Sequence, residues 1–335
     1  MPLAMPRSTL PSPLRVAVAG LTANGLYWTE RLALIPEVRV AALYDAQPKV
    51  APGSLVEPTT DWDEFRRHGP FDLLLLDPAI PQRDQVLSFA FEHHLPCLLD
   101  SLDCTAADLT RWDREAVAAG TPLGLLDLPA PLDTTRLSDL VHRGVFGPLR
   151  VARRVQHSLR PVPASLGTPR PHWAHEAIRA SFETLRQWGA RQASVTAILG
   201  HNPDQQTLLA TVSITGTGAL WPSESVPGMF LFDFDNAARV AQLPGWILEA
   251  TTASYADGVL YTTTEEGEIV DVPQPMPDVA DPAITCADPL LAALGRLRAG
   301  HRFPVTLPEA ALPLAWTEQL LAHLGEDVSY WKPEA

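Results

Sequence analysis

The sequence predicts an α/β domain with a doubly wound parallel sheet, followed by an α+β domain with an open antiparallel or mixed sheet. Over residues 14–125, short apolar runs alternate with helical patterns, as in a parallel sheet whose strands are connected by helices. The stretch FDLLLLDP (Phe71–Pro78) is the strongest strand candidate, because it is apolar on both faces like a central parallel strand. Beyond residue 126, alternating strands follow one another, separated by turn signals such as Asp257-Gly258.

Local patterns define each element of the first domain. The apolar runs Val16–Ala19 and Val38–Leu43 predict the first two strands, and the periodic stretch Leu26–Leu34 predicts the helix between them. Further along, Thr105 is placed to cap the start of a helix and Gly120 to end it. The strand candidates LPCLLD and PLGLLD flank this helix, so the alternation of strand and helix continues to the end of the domain.

The second domain begins with helices and continues as a sheet. His175–Trp188 predicts a helix, and several alternating segments after it, including the apolar run Met229–Phe234, predict strands. Two helices, Asp288–Ala299 and Pro308–Leu324, close the chain. The predicted organisation is a disordered tail at residues 1–13, a dinucleotide-binding-like domain at residues 14–125 and an α+β domain at residues 126–335.

The composition excludes some classes of function. The formal net charge of −14 argues against nucleic acid or an anionic membrane surface as a partner, since both attract basic patches. The three cysteines, Cys97, Cys104 and Cys286, are odd in number and lack metal-ligand spacing, which favours a reducing cytoplasm. The proline-rich N-terminus has no apolar segment typical of a secretory signal, and no run of 18 apolar residues predicts a membrane span.

A glycine turn after the first strand is similar to the dinucleotide-binding turn of Rossmann domains. Gly20 stands where the first glycine allows the tight turn, and Gly25 where the third lets the helix pack close to the strand. Thr22 replaces the middle glycine, and its hydroxyl is able to bond a phosphate. Asp45 ends the second strand, where a carboxylate accepts the ribose hydroxyls and repels a 2′-phosphate. The pattern therefore predicts NAD rather than NADP, or else a nucleotide-free domain with an ordinary glycine turn.

The chain resembles one family from Leu14 to Tyr330, and three segments carry this resemblance. They are the stretch TTDWDEFRRHGPFDLLLLDP, the stretch HRGVFGPLRVARRV, and the closing helices from DPLLAALGRLRAGHRF onward. Their order and spacing resemble the Gfo/Idh/MocA oxidoreductases, which use NAD or NADP on sugars, polyols and related compounds. The resemblance implies a sugar-like small-molecule ligand and a homo-oligomer assembled through the open face of the C-terminal sheet.

The first catalytic signature of that family is altered here. Its Glu-Lys-Pro motif follows the fourth strand, and the resemblance aligns it with Asp100, Ser101 and Leu102. A serine carries no cation to orient a substrate hydroxyl or to assist its deprotonation. A polar residue that follows the family's third strand falls near Gln82.

The second signature, D-x-x-x-H-x-x-D, is also altered. The resemblance aligns it with Glu176, Ala180 and Glu183, so the proton-transfer histidine is lost. His175 and His172 lie one to two turns earlier, where a shifted helix could bring one of them into the site. The candidate catalytic residues are therefore Glu176, Glu183 and His175. Two imidazoles and a carboxylate on one helical face could also bind a metal, but no further ligand cluster is visible, and no metal site is predicted.

Two functions remain open from the sequence. One is an NAD-dependent oxidoreductase with impaired dehydrogenase catalysis on a sugar- or polyol-like ligand. The other is a non-catalytic relative that serves as a ligand-binding or partner-binding module. The residues expected to contact the cofactor are Gly20, Thr22, Asn24, Gly25, Asp45, Asp77, Pro78 and Asp100.

Overall fold

The structure is a computed structural model of the 335-residue chain. It describes residues 13–325 except 48, 52–53, 101–103, 127–131, 158–174, 203–206, 222–226, 236–241, 257, 264–268 and 273–288. The predicted tail at residues 1–13 lies outside this part except for its last residue, Pro13. The chain divides into two compact units, and each is described by itself.

The elements follow the predicted order. The first are β1 (Leu14–Ala19), α1 (Ala23–Ala33), β2 (Val38–Tyr44), α2 (Trp62–Arg67), β3 (Leu73–Leu76), α3 (Arg83–Glu92), β4 (Cys97–Leu99), α4 (Ala106–Ala119) and β5 (Leu123–Leu125). The next are α5 (Leu132–His142), β6 (Leu149–His157), α6 (His175–Gln187), β7 (Ala190–Asn202), β8 (Thr207–Gly216) and β9 (Gly228–Asp235). The last are β10 (Gln242–Ala250), β11 (Ala253–Ala256), β12 (Val259–Thr263), β13 (Ile269–Val272), α7 (Pro289–Arg298) and α8 (Leu307–His323).

The first unit contains a five-stranded parallel sheet in the order β2-β1-β3-β4-β5. This order confirms the doubly wound sheet that the alternation of strands and helices predicts. All four residues of β3 are buried, as expected for a strand covered on both faces. Trp28 of α1 is 3% exposed and packs into the same apolar core as Val16 and Leu75, which fixes α1 on the sheet.

The first unit also includes a segment from the later part of the chain, Ala287–Ala311. The physical reason is the apolar face of α7, because Leu290, Leu294 and the following Phe303 are buried in the core of the parallel sheet. Phe303 also lies against β5, because a Cβ added to Gly124 would lie 2.4 Å from the Cβ of Phe303.

The second unit contains an eight-stranded sheet in the order β13-β12-β11-β10-β6-β9-β8-β7. It is mixed, because β6 pairs with β9 in parallel and with β10 in antiparallel orientation. One face of the sheet is its core side, where Phe230 and Phe232 of β9 pack near Phe182 of α6. The ring of Phe182 lies 5.6 Å from the ring of Trp316 in α8. The opposite face of β9 carries Met229, Leu231, Asp233 and Asp235.

Among the described helices, none combines the length and the apolar character that a membrane span requires.

Candidate functional site

The glycine turn joins β1 to α1, as its spacing predicts. Gly20 has a φ of +92°, and a Cβ on it would lie 2.6 Å from the Cβ of Asp77. Gly25 lies in the first turn of α1, where a Cβ would lie 2.0 Å from the carbonyl oxygen of Gly20. Neither position has room for a side chain, so the helix packs closely on the turn as it does in a dinucleotide-binding turn.

Asp45 lies directly beside the turn at the end of β2. Its side chain is 5% exposed, and its Oδ2 accepts a 2.8 Å hydrogen bond from the backbone N–H of Leu21. Its Oδ1 accepts a 2.9 Å hydrogen bond from the N–H of Gln47. The backbone reinforces the contact, since the N–H of Gly20 donates to the carbonyl of Tyr44 at 2.8 Å. The expected juxtaposition of turn and carboxylate is therefore present, and the contact with a ribose stays a prediction.

Thr22, at the position of the middle glycine, contacts a carboxylate. It is the N-cap of α1, and its hydroxyl donates a hydrogen bond to Oδ2 of Asp77. Asp77 follows β3 and is fully buried, and its Oδ1 accepts a 2.8 Å bond from the N–H of Ala79. The Thr22 hydroxyl, which is able to bond a phosphate, donates to Asp77 in the structure. The side chain of Asn24 lies outside the described part of the chain.

Asp100 and Pro78 complete the expected cofactor residues. Asp100 follows β4 and is 6% exposed, and its N–H donates to the carbonyl of Leu76 at 2.9 Å. Its Oδ2 would lie 3.8 Å from a Cβ on Gly25, so it borders the glycine turn. Burial, and then the charge of Asp100, raise the pKa of the Cys97 thiol. Pro78 is buried. Ser101 and Leu102 lie outside the described residues.

Three buried aspartates therefore lie at the carboxyl edge of the parallel sheet. Asp45, Asp77 and Asp100 follow β2, β3 and β4, which are neighbours of β1 or of one another in the sheet. Parallel strands bring their carboxyl ends to one edge, where ligands of open α/β sheets bind. The edge therefore gathers three carboxyl groups at the place where open α/β sheets bind their ligands.

An arginine that the sequence analysis did not single out supports this edge. Arg83 of α3 is 5% exposed, and its guanidinium donates to the carbonyl of Pro78 at 3.2 Å. It also forms an ion pair with Asp108 of α4 at 3.1 Å and lies 5.3 Å from the ring centroid of Trp112. These contacts join the loop after β3 to the start of α4. A single arginine in a helix carries no sequence signal that distinguishes it from an exposed one.

Asp108 also completes a capping box with Thr105, which confirms the predicted N-cap. Burial opposes the ionisation of Asp108, but hydrogen bonds from Thr105 and the charge of Arg83 outweigh it, so the pKa of the carboxyl is lowered. Its carboxylate is therefore retained as the charged partner of Arg83.

Gln82, which the resemblance places after the third strand, is the N-cap residue of α3. It is partly buried, and its side-chain oxygen Oε1 has no hydrogen-bond partner within the described part of the chain.

The candidate catalytic residues lie in the second unit, on α6. His175 is 3% exposed at the start of this helix, and the side chain of Glu176 lies outside the described part. Glu183 receives two hydrogen bonds from Arg186, at 2.9 and 2.7 Å, and one from Gln187 at 3.0 Å. Its carboxylate is therefore engaged along its own helix.

Two further candidate positions are Ala180 and His172. Ala180, at the histidine position of the family signature, is exposed, and His172 lies outside the described residues. Within the described ranges, no group of three or more His, Cys, Asp or Glu side chains is arranged to hold a metal ion.

Comparisons with known proteins show the fold. No family model matches the sequence, and no curated protein matches it. Among solved structures, an oxidoreductase from Bacillus cereus is 13% identical with a TM-score of 0.66, and the match covers 92% of this chain and 96% of the other. An oxidoreductase from Agrobacterium radiobacter, solved with NAD+, L-tartaric acid and magnesium, is 14% identical with a TM-score of 0.62, covering 92% and 95%.

A third structure is the UDP-N-acetylglucosamine 3-dehydrogenase from Acidithiobacillus ferrooxidans, 14% identical with a TM-score of 0.58, covering 91% of this chain and 96% of the other. At this level of identity the likeness concerns the fold. The chain has the two-part fold that these oxidoreductases and dehydrogenases share. This confirms the fold that the resemblance to the Gfo/Idh/MocA oxidoreductases implies.

Proposed function

We propose that this chain is a nucleotide-binding protein of the oxidoreductase type, which binds NAD in its first unit and whose dehydrogenase catalysis is impaired. One observation carries the proposal: the 2.8 Å hydrogen bond between the N–H of Leu21, in the glycine turn, and the carboxylate of Asp45. It joins the two parts of a dinucleotide site, the turn and the ribose-binding acid, at one edge of the parallel sheet.

The residues fit the parts of a nicotinamide dinucleotide unequally. The turn and Asp45 fit the ribose end, since a carboxylate retains acceptor capacity beyond the two N–H groups that it already binds. The same negative charge favours NAD over NADP, because it repels a 2′-phosphate. The Thr22–Asp77 pair fits the pyrophosphate poorly, because it places a carboxylate at the turn. When bound, the nicotinamide supplies a hydride acceptor.

The residues on α6 support the impaired catalysis. Removal of a hydroxyl proton requires a positioned base, and general base catalysis is worth roughly 10²–10⁴ in rate. By the resemblance, Ala180 stands for the histidine base and Ser101 for the lysine, and neither supplies a proton acceptor of that kind. Glu183 is already bonded to Arg186. We propose a sugar- or polyol-like molecule as the second ligand, the class on which the resembling family acts.

Non-catalytic binding is the second candidate function. The ion pair of Glu183 with Arg186 favours it, since this carboxylate already accepts two hydrogen bonds from a residue of its own helix. A partner of such a module is a second copy of this chain, bound through the outer face of the mixed sheet. On that face Met229 is 51% exposed beside the partly buried Leu231. A cytoplasmic location agrees with Cys97, which is a buried free thiol.

A titration of the purified full chain with NADH tests the nucleotide proposal. We expect saturable enhancement of nicotinamide fluorescence with the wild type and a loss of affinity with Asp45→Ala, which removes the ribose acceptor. Asp63→Ala is the matched control, because Asp63 is an exposed aspartate of the same unit. Thermal unfolding of each variant shows whether it is folded. Binding that is absent from the wild type at millimolar NADH would refute the proposal.

A further inference from the structure

We propose that Asp77, held by Thr22, is a specificity-determining residue that makes the nucleotide site discriminate against the pyrophosphate group. The site then binds NAD through its adenosine end, and the pyrophosphate adds nothing to the affinity. This inference rests on the proposed nucleotide site and assigns a selectivity to it. It starts from one contact, the hydrogen bond from the Thr22 hydroxyl to Oδ2 of Asp77.

The contact lies where the pyrophosphate of a dinucleotide binds. That group binds at the N-terminus of the helix after the glycine turn, which has a partial positive charge and favours an anion. Thr22 is the N-cap of this helix, and the Asp77 carboxylate lies within hydrogen-bonding distance of its side chain. The chain therefore supplies its own anion to the end of α1.

The Thr22 hydroxyl is not available as a phosphate donor in this arrangement. A hydroxyl has one proton to donate, and here it is donated to Asp77. A phosphate approaching Thr22 would face the remaining lone pairs of the hydroxyl oxygen, and behind them the carboxylate. The side chain at the middle-glycine position also keeps the backbone of the turn from the close approach that a glycine permits.

Burial strengthens the repulsion. Asp77 is fully buried, and Asp45 and Asp100 at the same edge are 5% and 6% exposed. Water screens interactions between buried charges much less than it screens exposed ones. A pyrophosphate brings two negative charges to this edge, whereas an adenosine brings none. Asp77 therefore acts on the phosphates and leaves the base and ribose unaffected.

Geometry permits a neutral replacement at position 77. In Asp77→Asn, one side-chain atom remains an oxygen that accepts from the N–H of Ala79, and the amide nitrogen donates to the Thr22 oxygen. The shape and these two contacts are kept while a carboxylate is replaced by a neutral amide. Asp77→Ser is a second neutral variant with a smaller side chain. Asp63→Asn makes the same chemical change at an exposed position of the same unit.

The experiment measures the affinities of adenosine, ADP and NADH by calorimetry for the full-length wild type and these variants. We expect wild type to bind adenosine at least as tightly as ADP. We expect Asp77→Asn to bind ADP and NADH about tenfold more tightly or better, the effect of removing one repulsion of about 1.4 kcal/mol. Adenosine binding is expected to stay unchanged, as are all affinities of Asp63→Asn.

Each other outcome has a defined meaning. Equal ADP affinities for wild type and Asp77→Asn overturn the selectivity and leave the nucleotide site standing. Tightening of adenosine and ADP by the same factor also overturns it, because the charge then does not act on the phosphates. Failure of every ligand to bind both proteins overturns the site and the selectivity together. If Asp77→Asn and Asp77→Ser both fail to fold in thermal unfolding, Asp77 is structural and the inference is wrong.

Discussion

The guanidinium of Arg83 lies 3.1 Å from the carboxylate of Asp108 and joins α3 to α4 beneath the loop that follows β3. Both side chains are largely removed from solvent, at 7% and 17% exposure. The same guanidinium bonds the carbonyl of Pro78 and lies over the ring of Trp112. One buried cation thus fixes the position of the loop that begins with Asp77.

Arg83→Leu is expected to destabilise the first unit strongly. Loss of the cation leaves the Asp108 carboxylate with Arg111 as its remaining ion-pair partner in the described part of the chain and removes the bond to Pro78. Together these losses typically cost about 2 kcal/mol or more of unfolding free energy. Urea denaturation measures the change. Arg66→Leu is the matched control, because Arg66 pairs with Asp63 on the surface and such pairs contribute about 1 kcal/mol at most. Equal effects of the two variants would contradict a special role for Arg83.

The Asp108 carboxylate gives this stabilisation a pH dependence. Because its pKa is lower in the folded than in the unfolded chain, its contribution is fully present above the ordinary pKa and is lost as the pH falls through the lowered value. We expect the stability difference between wild type and Asp108→Asn to be constant above about pH 5 and to shrink below about pH 4. Urea denaturation at several pH values measures it. A difference that persists undiminished into strong acid would be evidence against the carboxylate.

Gly25→Ala is expected to damage the glycine turn. The added Cβ would lie 2.0 Å from the carbonyl oxygen of Gly20, a backbone atom that cannot move without displacing β1 or α1. We expect a loss of unfolding free energy of about 3 kcal/mol or more, at the upper end of single substitutions. Gly295→Ala is the control, since a Cβ there meets nothing within 4 Å, and alanine in a helix gains about 1 kcal/mol over glycine. Thermal unfolding compares the two, and a well-folded Gly25→Ala protein would argue against the close packing.

Oligomer formation is expected to depend on the outer face of the mixed sheet. Met229 on this face is 51% exposed, and a glutamate there would place a charge in the proposed interface. We expect wild type to sediment as an oligomer at micromolar concentration and Met229→Glu as a monomer. Leu34→Glu is the control, because Leu34 is an exposed apolar residue of the first unit. A wild type that sediments only as a monomer would exclude the proposed assembly.

Local patterns predicted the parallel sheet and the glycine turn, because each strand and turn is coded by adjacent residues. The position of Asp45 beside Gly20 followed from the rule that parallel strands end at one edge, and the structure has it there. The Thr22–Asp77 contact could not be predicted, since the residues are 55 positions apart and the hydroxyl had an equally good partner in a phosphate.

Two other features needed tertiary information. The assignment of α7 to the first unit depends on which core its apolar face joins, and an amphipathic pattern does not specify that. The burial of Arg83 depends on the partners Asp108 and Trp112, which come from another helix. The candidate acids on α6 were placed by resemblance, and the bonds of Glu183 to Arg186 were an unused i, i+3 signal in the sequence.

Dehydrogenase turnover of sugars and polyols is expected to be negligible with either cofactor. Oxidation of an alcohol needs a base for the hydroxyl proton as the hydride leaves. The aligned positions are occupied by Ser101 and Ala180, and neither side chain is such a base. A glutamate of ordinary pKa, about 4.3, is a weak base for an alcohol, and Glu183 already accepts two hydrogen bonds from Arg186. The measurement is a screen of sugars, polyols and inositols with NAD and NADP, following absorbance of the reduced nicotinamide.

A turnover number of about 1 s⁻¹ or above, the lower range for enzymes, would refute impaired catalysis and direct attention to His175. His175→Ala should then abolish the rate, whereas Arg191→Ala, on the neighbouring strand β7, should leave it unchanged. If the wild type is inactive, the double variant Ser101→Lys/Ala180→His tests the same argument from the other side. It restores both aligned groups, so we expect it to raise the rate of any substrate that binds. Inactivity of that variant with a bound cofactor and ligand would show that the two lost groups do not account for the missing chemistry.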